Sequence, residues 1–479
     1  MSNTTSKSLA SKRIAALLDE GSFVEIGGAI TARTTDFNMQ QKETPADGVI
    51  TGYGVIDGNL VYVYSQDATV LKGSIGEMHA KKIGNIYDMA MKMGAPVIGL
   101  VDCAGLRLQE ATDALNGFGS VYYKQAMASG VIPQITAVFG KCGGGLAVAS
   151  AMTDFTFMEG KNGKLFLNSP NAIEGNEISK CDTSSADFQS KESGLVDAVG
   201  TESEILDEIR TLICMLPVNN EDNASYDECL DDLNRVCNGI ENAIDDTAII
   251  AAMISDENVF FETKREYAKD MVTGFIRLNG MTVGLVANRS KVFDDEGNVV
   301  EEFDATLTPA GCGKAAAFVE FCDAFNLPVV TFTNVTGFKA CKCAEKNLAR
   351  EAAKLTYAFA NATVPKVNVV IGKAYGSAYI SMNSKAIGAD MVYAWPNSEI
   401  GMMDANLAAK IMYATEDAET IKEKAAEYKE LQSSPMAAAR RGYVDTIIEP
   451  SETRKYLIGA FEMLFTKRED RPAKKHGTV

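Results

Sequence analysis

The chain has 479 residues, of which 46% are hydrophobic and 23% are charged, a composition typical of a globular protein with two or three domains. Its formal net charge of −18 argues against nucleic acid or an anionic membrane as a general partner, although a few local cations can still form a basic pocket. No apolar run approaches the ~18–20 residues of a membrane span, and the first residues do not resemble a secretory signal, so we expect a cytoplasmic protein.

The elements predicted along the chain alternate between helices and short apolar strands. The first clear helix covers residues 76–93, because five apolar side chains recur there at helical spacing: Ile83, Ile86, Tyr87, Ala90 and Met93. Runs rich in Val and Ile predict buried strands over residues 97–101, 135–139, 329–332 and 367–371. This alternation is typical of an α/β fold.

The two halves of the chain repeat each other. Pro96 and Pro328 open matching strands, and Pro133 and Pro365 open the next matching pair at the same offset, since 328 − 96 equals 365 − 133. Weaker matches pair Asp154 with Asp390 and Thr51 with Thr273. Blocks that keep a constant register indicate a tandem duplication. The polar stretch 219–242 separates the copies, which places two domains at residues 1–235 and 236–479.

A turn of small residues follows the second predicted strand of each copy. The first turn covers residues 140–145 and the second covers residues 372–378. A strand, a small-residue turn and a helix start present free backbone N–H groups, which can stabilise a developing oxyanion by about 3–4 kcal/mol per donor. Such turns also serve simply to let a helix pack close to a sheet, and from the residues alone both interpretations stay open.

Histidine and cysteine usage favours chemistry based on backbone donors. The chain has two histidines, His79 and His476, so a histidine-dependent nucleophile would depend on His79 alone. The ten cysteines are interpreted as reduced thiols, with one close pair at Cys341 and Cys343. No second pair stands at zinc-binding spacing, so we predict no metal site.

Several longer motifs resemble the carboxyltransferase family of biotin-dependent enzymes. They lie at residues 47–54, 66–67, 76–82, 89–99, 128–134, 357–366, 373–376, 394–400 and 471–477. The resemblance runs from about Arg13 to the C-terminus. Within the family, the sodium-pumping methylmalonyl-CoA and glutaconyl-CoA decarboxylases and the propionyl-CoA carboxylase β subunit look most similar.

This resemblance implies a fold, an assembly and a reaction. The fold would be two tandem crotonase-like domains, and the usual assembly is a hexamer with sites shared between subunits. The reaction would move a carboxyl group between an acyl-CoA, held by the N-terminal domain, and biotin, held by the C-terminal domain. Biotin would arrive on a separate carrier protein. A membrane sodium-pump subunit or a biotin carboxylase would be the further partner.

The resemblance also implies roles for individual residues. Gly144 and Gly145 would donate N–H groups to the thioester oxygen, and Ser377 and Ala378 to the ureido oxygen of biotin. Further substrate-binding candidates are Gly143, Gly376, Gly337, Arg107, Lys72 and Ile380. Arg107, Lys72, Lys81 and Lys82 are candidate contacts for CoA phosphates, with solvated surface charge as the alternative for each of them. Ile380 would line the acyl pocket, where relatives preferring propionyl-CoA often have Asp.

The chain departs from the family pattern at several site positions. Ser377 stands where relatives have Gly, and it keeps its donor only if its φ is negative. Leu146 replaces Ala after the first turn, and residues 340–343 replace a Pro-Gly element. Two alternatives therefore stay open, namely a catalytically silent acyl-CoA-binding paralogue or scaffold, and a crotonase-type hydratase or hydrolase without biotin. The acyl group and the direction of transfer are not determined by the sequence.

Two residues invite a catalytic role that we do not assign. Lys92 follows Ala90 and Met91 as the biotinylated lysine of carrier domains does, but we expect it on the polar face of a helix. Cys142 lies inside the first turn, but no histidine is near it in sequence, so we expect a buried structural thiol.

Overall fold

The computed structural model describes residues 8–33, 43–222, 226–294 and 296–472. The chain divides into two compact units, Met1–Ser225 and Tyr226–Val479. The family-like tail beyond residue 472 lies outside the described residues. In the described ranges no helix is long and apolar enough to cross a bilayer.

The first unit is built on one eight-stranded sheet. Its strands are β1 (Val24–Glu25), β2 (Val49–Ile56), β3 (Asn59–Gln66), β4 (Val97–Cys103), β5 (Gln134–Gly143), β6 (Phe155–Glu159), β7 (Lys164–Phe166) and β8 (Ala198–Gly200). Its helices are α1 (Leu9–Leu17), α2 (Glu77–Met93), α3 (Ala111–Ala128), α4 (Gly145–Ala151), α5 (Ala186–Lys191) and α6 (Glu202–Met215). The strand order is β1-β2-β3-β4-β5-β6-β8, and β7 pairs with β5.

The second unit repeats this sheet. Its strands are β9 (Phe260–Thr263), β10 (Met271–Leu278), β11 (Met281–Asn288), β12 (Lys291–Phe293), β13 (Val299–Glu302), β14 (Val329–Val335), β15 (Lys366–Tyr375), β16 (Met391–Ala394), β17 (Glu399–Gly401) and β18 (Thr446–Ile447). Its helices are α7 (Thr247–Ile254), α8 (Pro309–Ala324), α9 (Leu348–Asn361), α10 (Gly376–Ser381), α11 (Ala405–Met412), α12 (Ala418–Tyr428), α13 (Pro435–Arg440) and α14 (Thr453–Leu464). The strand order is β9-β10-β11-β14-β15-β16-β18, with β17 on β15 and a separate β12-β13 hairpin.

The predicted duplication is confirmed by individual backbone hydrogen bonds. Ile75 N–H donates to Gly105 O at 2.9 Å in the first unit, and Leu307 N–H donates to Gly337 O at 2.9 Å at the equivalent positions of the second. The N–H groups of Val97 and Val329 likewise each donate to the carbonyl of the proline that opens the next strand. The α/β architecture predicted from the sequence is therefore present twice.

Helix α2 buries most of the apolar face predicted for it. Ile83, Ile86, Tyr87 and Ala90 are buried against the sheet, where each large aliphatic side chain contributes about 1.5–3 kcal/mol. The prediction for Met93 is wrong, since this side chain is 61% exposed. Gly94, in the left-handed conformation with φ 62°, ends the helix directly after it.

Candidate active site

The two small-residue turns lie at the carboxyl ends of parallel strands. In the first unit β4 and β5 are parallel, with Cys103 opposite Cys142, so the loop after β4 and the turn after β5 leave the same edge of the sheet. In the second unit β14 and β15 pair in the same way, with Val335 opposite Ala374. Ligands of open parallel sheets bind outside the carboxyl ends of strands. Each unit therefore brings its turn to an edge suited to binding.

Both strands before the turns extend further than the sequence predicts. Strand β5 continues to Gly143 because Lys141–Gly143 pair with the short strand β7. Strand β15 continues to Tyr375 because residues 373–375 pair with β17. Gly and Lys give no strand signal of their own, so this extension depends on the partner strand.

The added pairing engages one of the donors predicted in the first turn. The N–H of Gly144 donates to the carbonyl oxygen of Phe166 at 2.9 Å, with Gly144 at φ 64° and ψ −134°. The prediction that Gly144 donates to the substrate is therefore wrong for this geometry, because its only N–H is used in the sheet. Gly143 is half-buried beside the ring of Phe166, which lies where a Cβ would stand.

The first free donors of this turn follow Gly144. Gly145 begins α4 and is exposed, and no side chain caps the helix start. The first N–H groups of a helix have no intrahelical partner, which leaves those of Gly145 and Leu146 unsatisfied by the helix. Ala147 N–H, the next in line, donates to Gly144 O at 3.0 Å.

Neighbouring aromatic side chains explain why position 145 is glycine. A Cβ on Gly145 would lie 2.6 Å from the ring of Phe118 and 2.9 Å from the hydroxyl of Tyr122. The same Tyr122 hydroxyl donates to Gly145 O at 2.5 Å. Helix α3 thus holds the turn close and fixes the direction of its peptide groups.

The second turn has the equivalent conformation. Gly376 has φ 61°, matching Gly144, and a Cβ there would lie 3.3 Å from Met402 O. Ser377 is exposed and is not among the described residues with positive φ, so it fits the backbone and keeps its N–H. Ala378 is 1% exposed. Tyr375, which precedes α10, makes no side-chain cap, so the predicted donors Ser377 and Ala378 have no capping partner.

The register between the two halves indicates Leu146 as a donor, a residue that was not predicted from the sequence. Applying the strand offset, 328 − 96, to Ser377 and Ala378 gives Gly145 and Leu146, and Gly144 matches Gly376. The sequence carries this signal once the offset of the strands is extended into the turn. Leu146 is therefore the second donor candidate of the first unit, in place of Gly144.

Three other predicted binding residues lie at or near these edges. Lys72 is exposed in the loop after β3, and its carbonyl accepts the N–H of Ala104 at 3.0 Å. Gly337 follows β14 and accepts the N–H of Leu307. Ile380 is half-buried on α10, and its counterpart in the first unit, Val148, is 39% exposed.

Arg107 does not have the position predicted for it. Its side chain is buried, with Nη1 2.7 Å from Asp47 Oδ1 and 2.6 Å from Glu110 Oε1, and Nη2 donates to Ser74 O at 2.8 Å. The guanidinium is thus occupied inside the unit and is not available for a CoA phosphate. Burial raises the pKa of Asp47, and the Arg107 charge opposes that rise.

His79 belongs to the same buried group. Its Nδ1 lies 2.9 Å from Asp47 O and its Nε2 lies 3.2 Å from the Gln66 amide nitrogen. Full burial lowers its pKa to about 3, so the ring is neutral near pH 7 and packs as a structural side chain. It cannot reach a substrate at the surface.

Cys142 is also structural. Its thiol is buried, lies 3.2 Å from the Ser150 hydroxyl, and has its pKa raised to about 12 by burial. A thiol with this pKa is not a nucleophile at neutral pH. Among the described residues no group of three or more His, Cys, Asp or Glu could hold a metal ion.

A cavity of about 520 Å³ opens beside α2 in the first unit. Lys81, Lys82 and Lys124 lie in its wall together with Asp88. Lys82 is tied to the carbonyls of Ala46 and Val49, and burial lowers its pKa to about 8. The side chains of Lys81 and Lys124 are more exposed to solvent than that of Lys82.

Comparison with known proteins decides the family. The carboxyl transferase domain family matches residues 2–479. The chain belongs to this family. The methylmalonyl-CoA decarboxylase subunit alpha of Propionigenium modestum is 40% identical, over 100% of this chain and 94% of that protein. The propionyl-CoA carboxylase beta chain of Roseobacter denitrificans is 40% identical, over 99% of this chain and 94% of that protein.

The chain also matches a solved structure along nearly its whole length. The crystal structure of transcarboxylase 12S, a hexamer with hydrolysed methylmalonyl-CoA bound, has a TM-score of 0.92 and 37% identity, covering 98% of this chain and 92% of that one. The predicted class, two crotonase-like units in tandem in a biotin-dependent acyl-CoA carboxyltransferase, is confirmed.

Proposed function

We propose that this carboxyltransferase moves a carboxyl group between an acyl-CoA of the methylmalonyl-CoA and propionyl-CoA type and biotin on a separate carrier protein. The observation that supports this most directly is the repeated turn, in which two uncapped helix starts contain residues of nearly identical φ, 64° at Gly144 and 61° at Gly376. Two oxyanion sites suit a reaction in which a carbonyl oxygen on each of the two substrates gains negative charge and accepts hydrogen bonds from N–H groups.

The first turn serves the acyl-CoA. The N–H groups of Gly145 and Leu146 donate to the thioester oxygen as negative charge develops on it. Lys72 is exposed, and its carbonyl accepts the N–H of Ala104 on the neighbouring loop, which supports its assignment as a contact for a CoA phosphate. Tyr122 supports the turn through Gly145 O and keeps its donors aligned before substrate binds.

The second turn serves biotin, and its residues fit that group. Bound biotin supplies the nitrogen that carries the carboxyl group and the base that accepts a substrate proton. The N–H groups of Ser377 and Ala378 hold the ureido oxygen, and exposed Ser377 leaves the turn open for a carrier-borne ring. Tyr375 closes the strand before the turn and donates its hydroxyl to Glu399, which fixes the approach of the main chain.

In this proposal, no general base is assigned to the described part of the chain. His79 is buried and neutral, and the Cys142 thiol is buried with a pKa of about 12. The protein's contribution is therefore orientation and oxyanion stabilisation, which together account for large rate effects without a side-chain proton acceptor.

The names of the similar proteins support a proposal for the partners. We propose a hexamer, as in transcarboxylase 12S, together with a biotin carboxyl carrier protein. The names of the similar proteins include a decarboxylase subunit and a carboxylase chain. We propose a membrane sodium-pump subunit as the further partner if the direction of transfer is decarboxylation, and a biotin carboxylase if it is carboxylation.

The test uses the purified chain with free biotin and malonyl-, methylmalonyl- or glutaconyl-CoA. We expect one of these acyl-CoAs to be consumed only when biotin is present, as monitored by chromatography. This result would establish the reaction and also identify the acyl group. The matched control omits biotin. Loss of thioester without biotin would indicate a hydrolase instead. Absence of turnover with intact acyl-CoA binding, even with a biotinylated carrier protein, would contradict the proposal in favour of a silent paralogue.

A further inference from the structure

Two cysteines of the second unit lie in contact on the loop after β14. The sulfurs of Cys341 and Cys343 are 2.8 Å apart, against ~2.05 Å in a disulfide. Cys343 is exposed and Cys341 is half-exposed, so small solutes reach the pair. The two thiols are thus close enough to form a bond once the sulfurs approach each other by somewhat less than about 1 Å, a movement that the loop must follow.

The surroundings of this pair favour the thiolate form. The N–H of Ala344 donates to Cys341 Sγ at 3.4 Å, and Lys339 lies two residues before it. The Cys343 hydrogen bond, the Ala344 N–H and the Lys339 charge lower the pKa of Cys341. By contrast, burial raises the pKa of Cys103 to about 11 and that of Cys312 to about 12. Oxidation of thiols follows thiolate character and exposure, which selects this pair over the buried cysteines.

The loop that carries the pair starts beside the second turn. Strand β14 ends at Val335, opposite Ala374 on β15, two residues before Gly376. A hydrogen bond from Lys339 N–H to Leu307 O anchors the first part of the loop. Beyond that anchor, the carbonyl of Cys341 accepts the N–H of Glu345 at 3.0 Å, in the short turn that leads into α9.

Helix α9 connects this loop to the donors of the turn. The hydroxyls of Thr356 on α9 and Ser381 on α10 are 2.8 Å apart, and the Ser381 hydroxyl donates to Ser377 O at 3.2 Å. A change in the turn at the start of α9 therefore has a packed route to Ser377. Displacement of a reacting group by about 1 Å can cost on the order of a hundredfold in rate.

We propose that Cys341 and Cys343 form a reversible intramolecular disulfide that slows carboxyl transfer by shifting the loop beside the second turn. The oxidant is a small disulfide of the glutathione type. The Cys341 thiolate attacks one sulfur of that disulfide, which forms a mixed disulfide and releases one small thiolate. The Cys343 thiolate then attacks Cys341 Sγ and releases the second. The two protein thiols give up two protons and two electrons, and the small disulfide becomes two small thiols.

The modification is tested by peptide mass, independently of activity. The full chain is equilibrated with oxidised and reduced glutathione, alkylated, and digested with trypsin without reduction. Trypsin cuts after Lys339, Lys342 and Lys346, so the bond joins the peptide 340–342 to the peptide 343–346. We expect this linked species, lighter by two hydrogen atoms than the reduced pair, to disappear on treatment with dithiothreitol. Persistent glutathione adducts without the linked species would overturn the proposal.

The effect on turnover rests on the proposed function and is measured separately. In the biotin-dependent assay we expect oxidised wild type to lose activity by about tenfold or more and to recover on reduction. Cys341→Ser and Cys343→Ser are expected to keep their activity under the same oxidation, while Cys181→Ser, which removes an exposed cysteine of the first unit, behaves as wild type. A linked peptide with unchanged turnover would contradict the regulatory role. An inactive reduced enzyme that still forms the linked peptide would count against the proposed function alone.

Discussion

The N–H of Gly144 donates to the carbonyl of Phe166 at 2.9 Å, and this one bond decides which N–H groups of the first turn are left for a ligand. Phe166 belongs to β7, which lies against the end of β5. With Gly144 engaged, the unsatisfied donors are those of Gly145 and Leu146, the positions equivalent to Ser377 and Ala378. Each turn can therefore be tested by removing a single N–H.

Replacing Leu146 or Ala378 by Pro deletes one donor from the first or second turn. Pro is tolerated in the first turn of a helix, so we expect both variants to fold. Loss of one oxyanion donor should lower kcat by about 10²–10³ while acyl-CoA binding survives. Ala378→Gly keeps the N–H and is the matched control, with turnover close to wild type. Unchanged turnover in Ala378→Pro would remove the second turn from the mechanism.

Arg107→Met should destabilise the first unit rather than weaken CoA binding directly. The substitution leaves Asp47 and Glu110 buried without their cation, at a cost of about 3–5 kcal/mol in the free energy of unfolding. Urea denaturation measures this cost, and Lys72→Ala, at an exposed cation, should stay within about 0.5 kcal/mol of wild type. A large loss of CoA affinity in Arg107→Met with unchanged unfolding would show that the guanidinium reaches the ligand.

Gly140→Ala should destabilise the strand that leads to the first turn. A Cβ at this position would stand 2.0 Å from Asp102 Oδ1, which also accepts the N–H of Lys141 at 3.3 Å. We expect a loss of about 1–3 kcal/mol. Gly84→Ala is the matched control, because a Cβ there meets no atom within 4 Å and the position is helical. That change should stabilise the protein by about 0.5–1 kcal/mol in thermal unfolding.

The burial of His79 predicts a loss of stability in acid. Its pKa is about 3 in the folded chain and about 6.5 unfolded, so the unfolded state binds the extra proton between these values. Stability should therefore be fully present above about pH 6.5 and fall by up to about 1.4 kcal/mol per pH unit as the pH drops towards 3. His79→Gln should reduce the slope of the free energy of unfolding against pH by an amount that corresponds to at most one bound proton. Urea denaturation at several pH values measures this slope. An unaltered slope would mean that the ring is already protonated in the fold.

The sequence alone determined the features that depend on local pattern and on comparison of the chain with itself. Four such features can be read directly from the amino-acid sequence. They are the constant register between the two halves, the apolar strands at Val97 and Val329, the apolar face of α2 and the family motifs. Helices and strands can be predicted in this way because the spacing of apolar residues within a short window of sequence indicates the type of element. These four features were sufficient to predict the α/β class, the duplication and the small-residue turn that follows the second strand of each copy.

The tertiary structure decided which atoms of those residues are free. Gly144 loses its donor to Phe166 on a separate strand, and Arg107 is neutralised by Asp47, which precedes β2. Neither partner is marked by local sequence, because a buried ion pair and a sheet extension depend on the packing of segments that are distant along the chain. The identity of the turns could thus be predicted, whereas the choice among their N–H groups required the pairing of β5 with β7.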